Sequence, residues 1–330
     1  MDRSRFEYSF FTGGDSEPLV RLIRGSLVGG SYMDSKWFDW KHFQNPNGPS
    51  IIIYATDRQT GQIAAMRALW AWKLRCGQAQ IDAYQPCESL TAPDYQRMGL
   101  FTRLTRMAVD LAGQKHARFL FNFPNANSKP AYIKMGWHCL GGLATLWKPA
   151  GPVEIIASLF QRKPDDCSRS GPDDSAIASA DKYDSRKEDI SGHHRLKGSM
   201  YFGSRHQALI DWRLKRPGGL NRLVRTDKAA AIVHLRHRGK LREACIIELL
   251  QDNAQLSDIK VLLRAIQKQL KPTILTTILT PSHPDVAIYK SLGFRFRSNQ
   301  TNFVAAAVEM DLPVPASADW ALSGFDIDTF

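Results

Sequence analysis

Residues 92–101 read Ala92-Pro93-Asp94-Tyr95-Gln96-Arg97-Met98-Gly99-Leu100-Phe101. Before them, Gln78 to Thr91 contains an alternating stretch suited to a long β-strand. After them, Leu100, Leu104, Met107, Ala108 and Leu111 recur at helical spacing, with Gly113 near the stop. The segment is a strand-to-helix turn with one glycine at the helix start. Such a turn aims several backbone N–H groups at one point, and the helix dipole adds partial positive charge there, which makes a seat for a pyrophosphate. Arg97 and Arg103 add cationic donors nearby. A glycine at such a turn is also common where no ligand binds, so the turn needs its context.

Outward from the turn, Ser50 to Ala55 and Ile63 to Trp70 are predicted strands joined by a turn at Asp57 to Gly61. Phe119 to Phe123 is a predicted strand ended by Pro124. Ser128 is placed to cap a short helix with Pro130 in its first turn and Gly136 at its end, before another strand from Trp137. Farther on, Ala231 to Leu235, Ala244 to Leu250 and Ile274 to Leu279 are predicted strands, and Ile259 to Leu270 a helix. The fold class is α/β in the α+β sense: largely antiparallel strands, a helix, a strand, a helix and closing strands.

The order occurs twice. Phe38-Asp39-Trp40-Lys41 followed by Pro46 is echoed by Ile210-Asp211-Trp212-Arg213 followed by Pro217. Tyr132-Ile133-Lys134-Met135-Gly136-Trp137 is echoed by Tyr289-Lys290-Ser291-Leu292-Gly293-Phe294. Trp and Tyr are 92 residues apart in the first copy and 77 in the second. Two copies of one fold, the second shortened in its middle, account for this. Between them, 161–200 is rich in Asp, Ser and Lys and almost devoid of Leu, Val and Phe, as expected of a flexible linker. His193 and His194 within it lack the spacing of metal ligands. The expected domains are 1–160, the linker 161–200, and 201–330.

Composition agrees with two domains. The chain has 330 residues, 43% of them hydrophobic and 23% charged, which excludes wholesale disorder, collagen and a disulfide scaffold. No apolar run approaches the roughly 20 residues that span a bilayer, and Met1 to Glu17 has no apolar signal core, so a cytoplasmic protein is expected. The five cysteines are scattered without a C-x-x-C pair, which argues for reduced thiols and against a zinc site. The net charge of +12 sits in two basic blocks flanking a neutral one: Lys and Arg outnumber Asp and Glu by 18 to 11 in 1–150 and 18 to 12 in 201–330. That balance is compatible with nucleic acid, an anionic membrane face or a phosphate-bearing ligand.

Gln96-x-x-Gly99-x-x, after Thr91-Ala92-Pro93, resembles the Q/R-x-x-G-x-G/A acyl-CoA loop of the GNAT superfamily of acyl-CoA-dependent N-acyltransferases. Phe123-Pro124-Asn125-x-x-Ser128-x-x-x-Tyr132-x-x-x-Gly136-Trp137 resembles that superfamily's later N-x-x-A-x-x-x-Y-x-x-x-G-F motif. The resemblance covers 36–148 well and 203–310 faintly. Phe101 departs from the usual Gly or Ala, and in the second copy Gln251 to Gln255 lacks the glycine loop while Ser282 replaces the Asn.

The resemblance implies two GNAT-like domains, each a mixed, mostly antiparallel sheet flanked by helices, with a degenerate second copy. It implies acetyl-CoA or another acyl-CoA held by backbone N–H groups of Met98, Gly99, Leu100 and Phe101, with Gln96 and Arg97 in the same loop and Leu90 and Thr91 beside the pantetheine. Tyr132 matches the general acid; Glu88 on the long strand is the candidate base, with Asp82 on the same face at even spacing. Asn125 and Ser128 would position cofactor or substrate. Trp37, Trp40, Trp70 and Trp72 line an acceptor cleft or pack in the core. The acceptor would be a small-molecule amine, with neither metal nor nucleic acid expected. Relatives with similar Phe-Pro-Asn and Gly-Trp stretches are often tied to modified sugars, so an amino sugar is the first candidate. Two alternatives stay open: a Fem-type aminoacyltransferase using aminoacyl-tRNA, which the charge would suit, and a non-catalytic protein that binds CoA or a partner.

Overall fold

The computed structural model describes residues 5–26, 33–151, 198–251, 254–297, 301–309 and 311–328. The expected linker, up to residue 197, and His193 and His194 lie outside them. The chain forms two compact units, one of Met1–Leu74, Gln78–Gly141 and Thr301–Ala316, the other of Arg75–Gly77, Gly142–Gln300 and Ser317–Phe330. Among the described residues no helix is long and apolar enough to cross a membrane.

The first unit runs β1 (Phe6–Phe10), α1 (Glu17–Ser26), α2 (Ser35–His42), β2 (Ile51–Asp57), β3 (Ile63–Cys76), β4 (Ala79–Thr91), α3 (Leu100–Gln114), β5 (Phe119–Asn122), α4 (Lys129–Lys134) and β6 (His138–Gly142). The second runs β7 (Ala144–Pro149), β8 (Tyr201–Gly203), α5 (Gln207–Leu214), β9 (Asn221–Arg225), β10 (Ala229–Arg238), β11 (Leu241–Gln251), α6 (Leu256–Leu270), β12 (Ile274–Leu279), α7 (Asp285–Ser291) and β13 (Arg295–Arg297). A last strand, β14 (Asn302–Ala307), returns to the first unit.

In the first sheet the strands lie in the order β1-β2-β3-β4-β5-β14-β6. β1 and β2 pair antiparallel, as do β2 and β3, and β4 and β5 pair parallel. β3 outruns the expected Trp70 by six residues, and toward its end Trp70, Trp72 and Leu74 are buried on one face while Lys73 and Arg75 are half-buried on the other. α3 lays Leu100, Leu104, Ala108 and Ala112 into a core with Ile51, Ile53, Leu69 and Leu120. The four tryptophans Trp37, Trp40, Trp70 and Trp72 are all buried.

The second sheet repeats the plan in the order β13-β7-β12-β11-β10-β9. β9-β10-β11-α6-β12-α7-β13 matches β2-β3-β4-α3-β5-α4-β6, with β11 and β12 parallel in this sheet as β4 and β5 are in the first. The echoed motifs occupy matching places. Phe38-Asp39-Trp40 lies in α2 and Ile210-Asp211-Trp212 in α5. Gly136 (φ 88°) and Gly293 (φ 84°) take the left-handed turn that lets Trp137 and Phe294 donate their N–H groups back to the carbonyls of Tyr132 and Tyr289.

The penultimate strand of each sheet comes from the other half of the chain. β5 pairs antiparallel with β14, from the C-terminal half, and β12 pairs antiparallel with β7, which follows β6 directly. A division at 160 and 201 follows the order of the chain, whereas the compact units exchange this strand. A fragment 1–160 lacks Phe303, Val304 and Ala305, all buried, and leaves β5 an open edge. It is expected to melt without a cooperative transition by circular dichroism, and a fusion carrying 301–316 to regain one.

Candidate active site

The predicted turn is built at the end of β4. Pro93–Tyr95 forms one 3-10 turn, after which Arg97 (φ 64°) and Gly99 (φ 71°) adopt left-handed conformations and Gly99 caps α3. The Gly99 carbonyl accepts the N–H of Arg103 at 3.0 Å as the first helical bond. Among the described residues the N–H groups of Met98 through Thr102 have no acceptor, and the first turn of α3 carries no acidic residue. Gln96 and Arg97 are exposed, Met98 is half-buried, and Leu100 is buried in the core. An anion approaching this helix end therefore meets unused donors and a positive dipole end.

Beside it lies the end of β4. The parallel ladder joins β4 to β5 at Ala83–Phe119 and Tyr84–Leu120, and β4 runs on beyond these pairs to Thr91. Buried Leu90 and half-buried Thr91 lie on this last stretch. So does Glu88, whose φ of 35° breaks the alternation of the strand. Asp82 and Glu88, expected on one face, stand in different surroundings. Asp82 is exposed and pairs with Lys73 at 3.5 Å, while Glu88 is buried.

Tyr132 is buried on α4. Its ring meets Phe101 edge-on at 5.9 Å and Trp137 at 4.7 Å. Its Oη accepts a hydrogen bond from Nη2 of Arg67 on β3 at 3.0 Å. Arg67 also donates through Nη1 to Ser89, the neighbour of Glu88. Its guanidinium lies 4.9 Å from the Phe101 ring centroid. Tyr132, the start of α3 and the last stretch of β4 thus meet around Arg67. Phe101, which departs from the small residue of the motif, spends its ring on this contact.

Glu88 is not a free carboxylate. Lys41 Nζ lies 2.5 Å from its Oε1, and His42 Nε2 lies 3.5 Å from its Oε2. His42 Nδ1 is 2.9 Å from Ser50 Oγ. Lys41 Nζ also sits over the rings of Trp37 and Trp70, 5.1 and 5.7 Å from their centroids, so these tryptophans pack around a buried ammonium. The ligand-type atoms of His42, Cys87 and Glu88 all lie within 4.8 Å of one another, with the positive charge there supplied by Lys41. Burial pushes the His42 imidazole well below its ordinary range, and the charge of Lys41 acts in the same direction.

Asn125 and Ser128 form a turn of their own. Asn125 Oδ1 accepts the N–H groups of Asn127 and Ser128 at 3.1 and 2.9 Å and the hydroxyl of Ser128 at 3.1 Å. Ser128 stands at the N-cap of α4 in a helical conformation and makes no side-chain cap, because its hydroxyl turns back to Asn125. This corrects the expected serine cap. Arg67, Lys41 and His42 were not singled out by the sequence reading. A lone arginine inside the apolar run Ala64-Ala65-Met66-Arg67-Ala68-Leu69-Trp70 was the available signal for the first.

The second unit differs at both places. At the start of α6 the carboxylate of Asp258 accepts the N–H of Gln255 at 2.8 Å, so the helix supplies its own anion. Beyond the β11–β12 ladder, Thr280 N–H donates to Leu322 O at 2.8 Å, Ser323 bridges Leu279, and Ser323 Oγ donates to Glu248 on β11 at 2.6 Å. The segment around residues 322–324 therefore lies between β11 and β12. Arg205 locks it there, donating to Asp326 Oδ2 at 2.7 Å and to Glu248 Oε2 at 2.9 Å. Tyr289, the counterpart of Tyr132, is buried, and burial raises its phenol well above the ordinary range.

No family model matches the chain, and no curated protein matches it. Solved structures do. A conserved protein of unknown function from Enterococcus faecalis V583, a probable N-acyltransferase, is similar with a TM-score of 0.61 at 10% identity, over 92% of this chain and 73% of that one. A GCN5-related N-acetyltransferase from Anabaena variabilis ATCC 29413 gives 0.60 at 12% identity, over 92% and 73%. One from Kribbella flavida gives 0.54 at 10% identity, over 92% and 72%. The chain has the GNAT fold.

The buried His42 makes stability depend on pH. Its folded-state pKa is depressed below the ordinary 6.5, so between those values the unfolded chain holds the extra proton. Its contribution is complete above pH 6.5 and is lost as pH falls below it, at up to about 1.4 kcal/mol per pH unit. Burial also pushes the His234 imidazole down, to about 2, so denaturant melts from pH 8 to pH 5 are expected to show both contributions, and His42→Gln to reduce the slope while leaving the share of His234.

Proposed function

We propose that the first unit is an N-acyltransferase, with acetyl-CoA or another acyl-CoA as donor substrate and a small-molecule amine as acceptor. The observation that carries this reading is the open start of α3. The donors from Met98 to Thr102 fit a pyrophosphate, and no side-chain carboxylate of the first turn competes for them. Gln96 and Arg97 flank that seat, and the last stretch of β4 at Leu90 and Thr91 offers backbone groups to the pantetheine arm. Bound there, the donor supplies a thioester open to attack by an amine.

The remaining chemistry falls to side chains of this chain. Tyr132 holds at Oη the proton that the departing sulfur needs. Glu88 is the carboxylate to accept the proton that the acceptor amine must lose. Lys41, buried against it, holds that carboxylate in place. His42, kept neutral by burial, offers Nε2 to share the proton that Glu88 gains. Asn125 and Ser128 would shape the entrance rather than bind directly, since their side chains are engaged with each other. An amino sugar is the first acceptor to try, on the Phe123-Pro124-Asn125 and Gly136-Trp137 resemblance alone. The second unit acts as a degenerate copy, and a cytoplasmic site of action would suit the donor.

The test is release of free thiol from acetyl-CoA across a panel of amino sugars, polyamines and amino acids. Tyr132→Phe is expected to lower kcat by about 10²- to 10⁴-fold with little change in KM for acetyl-CoA. Gly99→Glu is expected to abolish acetyl-CoA binding. A Cβ at Gly99 meets nothing within 4 Å, so the variant still folds, losing about 1 kcal/mol to the left-handed backbone. No binding of acetyl-CoA by the wild-type chain would overturn the reading.

A further inference from the structure

We infer that Arg67 is a positioning residue for Tyr132, fixing the side of the phenol from which its proton leaves; the inference rests on the acyl-transfer reading above. Arg67 lies on β3 with 1% of its surface exposed. Burying a guanidinium costs several kcal/mol unless a carboxylate and a full set of hydrogen bonds compensate it. Arg67 has neither. Among the described residues it makes no ion pair, and its Nε has no hydrogen-bond partner. Its two fixed bonds go to uncharged oxygens, Ser89 Oγ and Tyr132 Oη. A methionine or leucine would fill this place in an apolar strand at lower cost.

What the guanidinium does at this cost follows from its donor chemistry. It carries only donors, so where Nη2 meets Tyr132 at 3.0 Å the phenol oxygen accepts. The phenolic O–H prefers the ring plane, on one of two sides. With one side taken by Nη2–H, the hydrogen is left to the other, away from β3. When that proton has gone, the bond from Nη2 joins opposite charges and strengthens in the state that the reaction passes through. The rings of Phe101 and Tyr132 lie 4.9 and 5.3 Å from the guanidinium carbon, so Arg67 also ties the acid to the first turn of α3. Donor seat and acid are thereby held to one another by a single side chain.

The experiment pairs a resting-state reading with kinetics. In full-length protein labelled with 13Cζ-tyrosine, the Tyr132 resonance is assigned by its loss in Tyr132→Phe. Arg67→Met is expected to shift that resonance, keep the melting temperature and hold the Kd for acetyl-CoA by calorimetry within about threefold. On the fastest amine of the panel, Arg67→Met is expected to lower kcat by at least about 30-fold at unchanged KM for acetyl-CoA. Arg67→Lys, which keeps a donor, should recover part of that loss, and Arg67→Met combined with Tyr132→Phe should be no slower than Tyr132→Phe alone. An unmoved resonance, a kcat within threefold of wild type, or multiplicative losses in the double variant would overturn the inference. If Arg67→Met unfolds, Arg67→Lys and Arg67→Gln carry the same comparison. Wild-type protein that turns over no amine while the resonance still shifts would defeat the acyl-transfer reading and leave Arg67 as the group that orients the phenol.

Discussion

A helix cannot satisfy the N–H groups of its own first turn, and at the start of α3 nothing else in the described chain does so for Met98 through Thr102. That deficit is tolerable only if water or a ligand completes it. Much of the first unit is arranged around it. The left-handed Arg97 and Gly99 swing the chain out of β4, β4 runs on past the Tyr84–Leu120 pair, and Phe101 carries the contact inward to Tyr132. The apolar face of α3 anchors the helix against β2 and β4, so the open end is held by the core rather than by a cap.

The second unit shows the same scaffold with a carboxylate of its own at the corresponding helix end. Asp258 supplies a carboxylate where the first unit has none, and residues 322–324 fill the place between β11 and β12. That segment is held by a buried polar network. Asp326 and Glu248 hold Arg205 strongly as a cation, raising its pKa, and Ser323 satisfies a remaining lone pair of Glu248. Fully bonded charges of this kind fix one arrangement of a segment. Two copies of one fold thus differ in whether the chain places a carboxylate of its own at this helix end.

Period-two and period-3.6 patterns made β2, β4, β5, α3, β12 and α6 legible within a few residues, because each buries one face or is short and bounded by turns. The open helix start was legible too, since Gly99 follows a strand and precedes an amphipathic run. The strand exchange was not. β7 and β14 are both short and apolar, and nothing local in Ala144 to Pro149 or Asn302 to Ala307 says which sheet each completes. The environment of Glu88 was hidden for a different reason: its partners Lys41 and His42 come from α2, far away in the chain, and no local pattern in β4 names them. Arg67 stood in plain view as a lone charge among apolar residues, but only the hydrogen bond to Tyr132 says what it is for.

The excess charge of the chain remains spread over both halves. The central claim is that one helix end in this chain is kept for an acyl-CoA and its counterpart is not. Isothermal titration of the full chain with acetyl-CoA tests it most directly. The account predicts one molecule bound per chain, abolished by Gly99→Glu and unaffected by Asp258→Asn. Two molecules per chain, none, or binding that survives Gly99→Glu would contradict it.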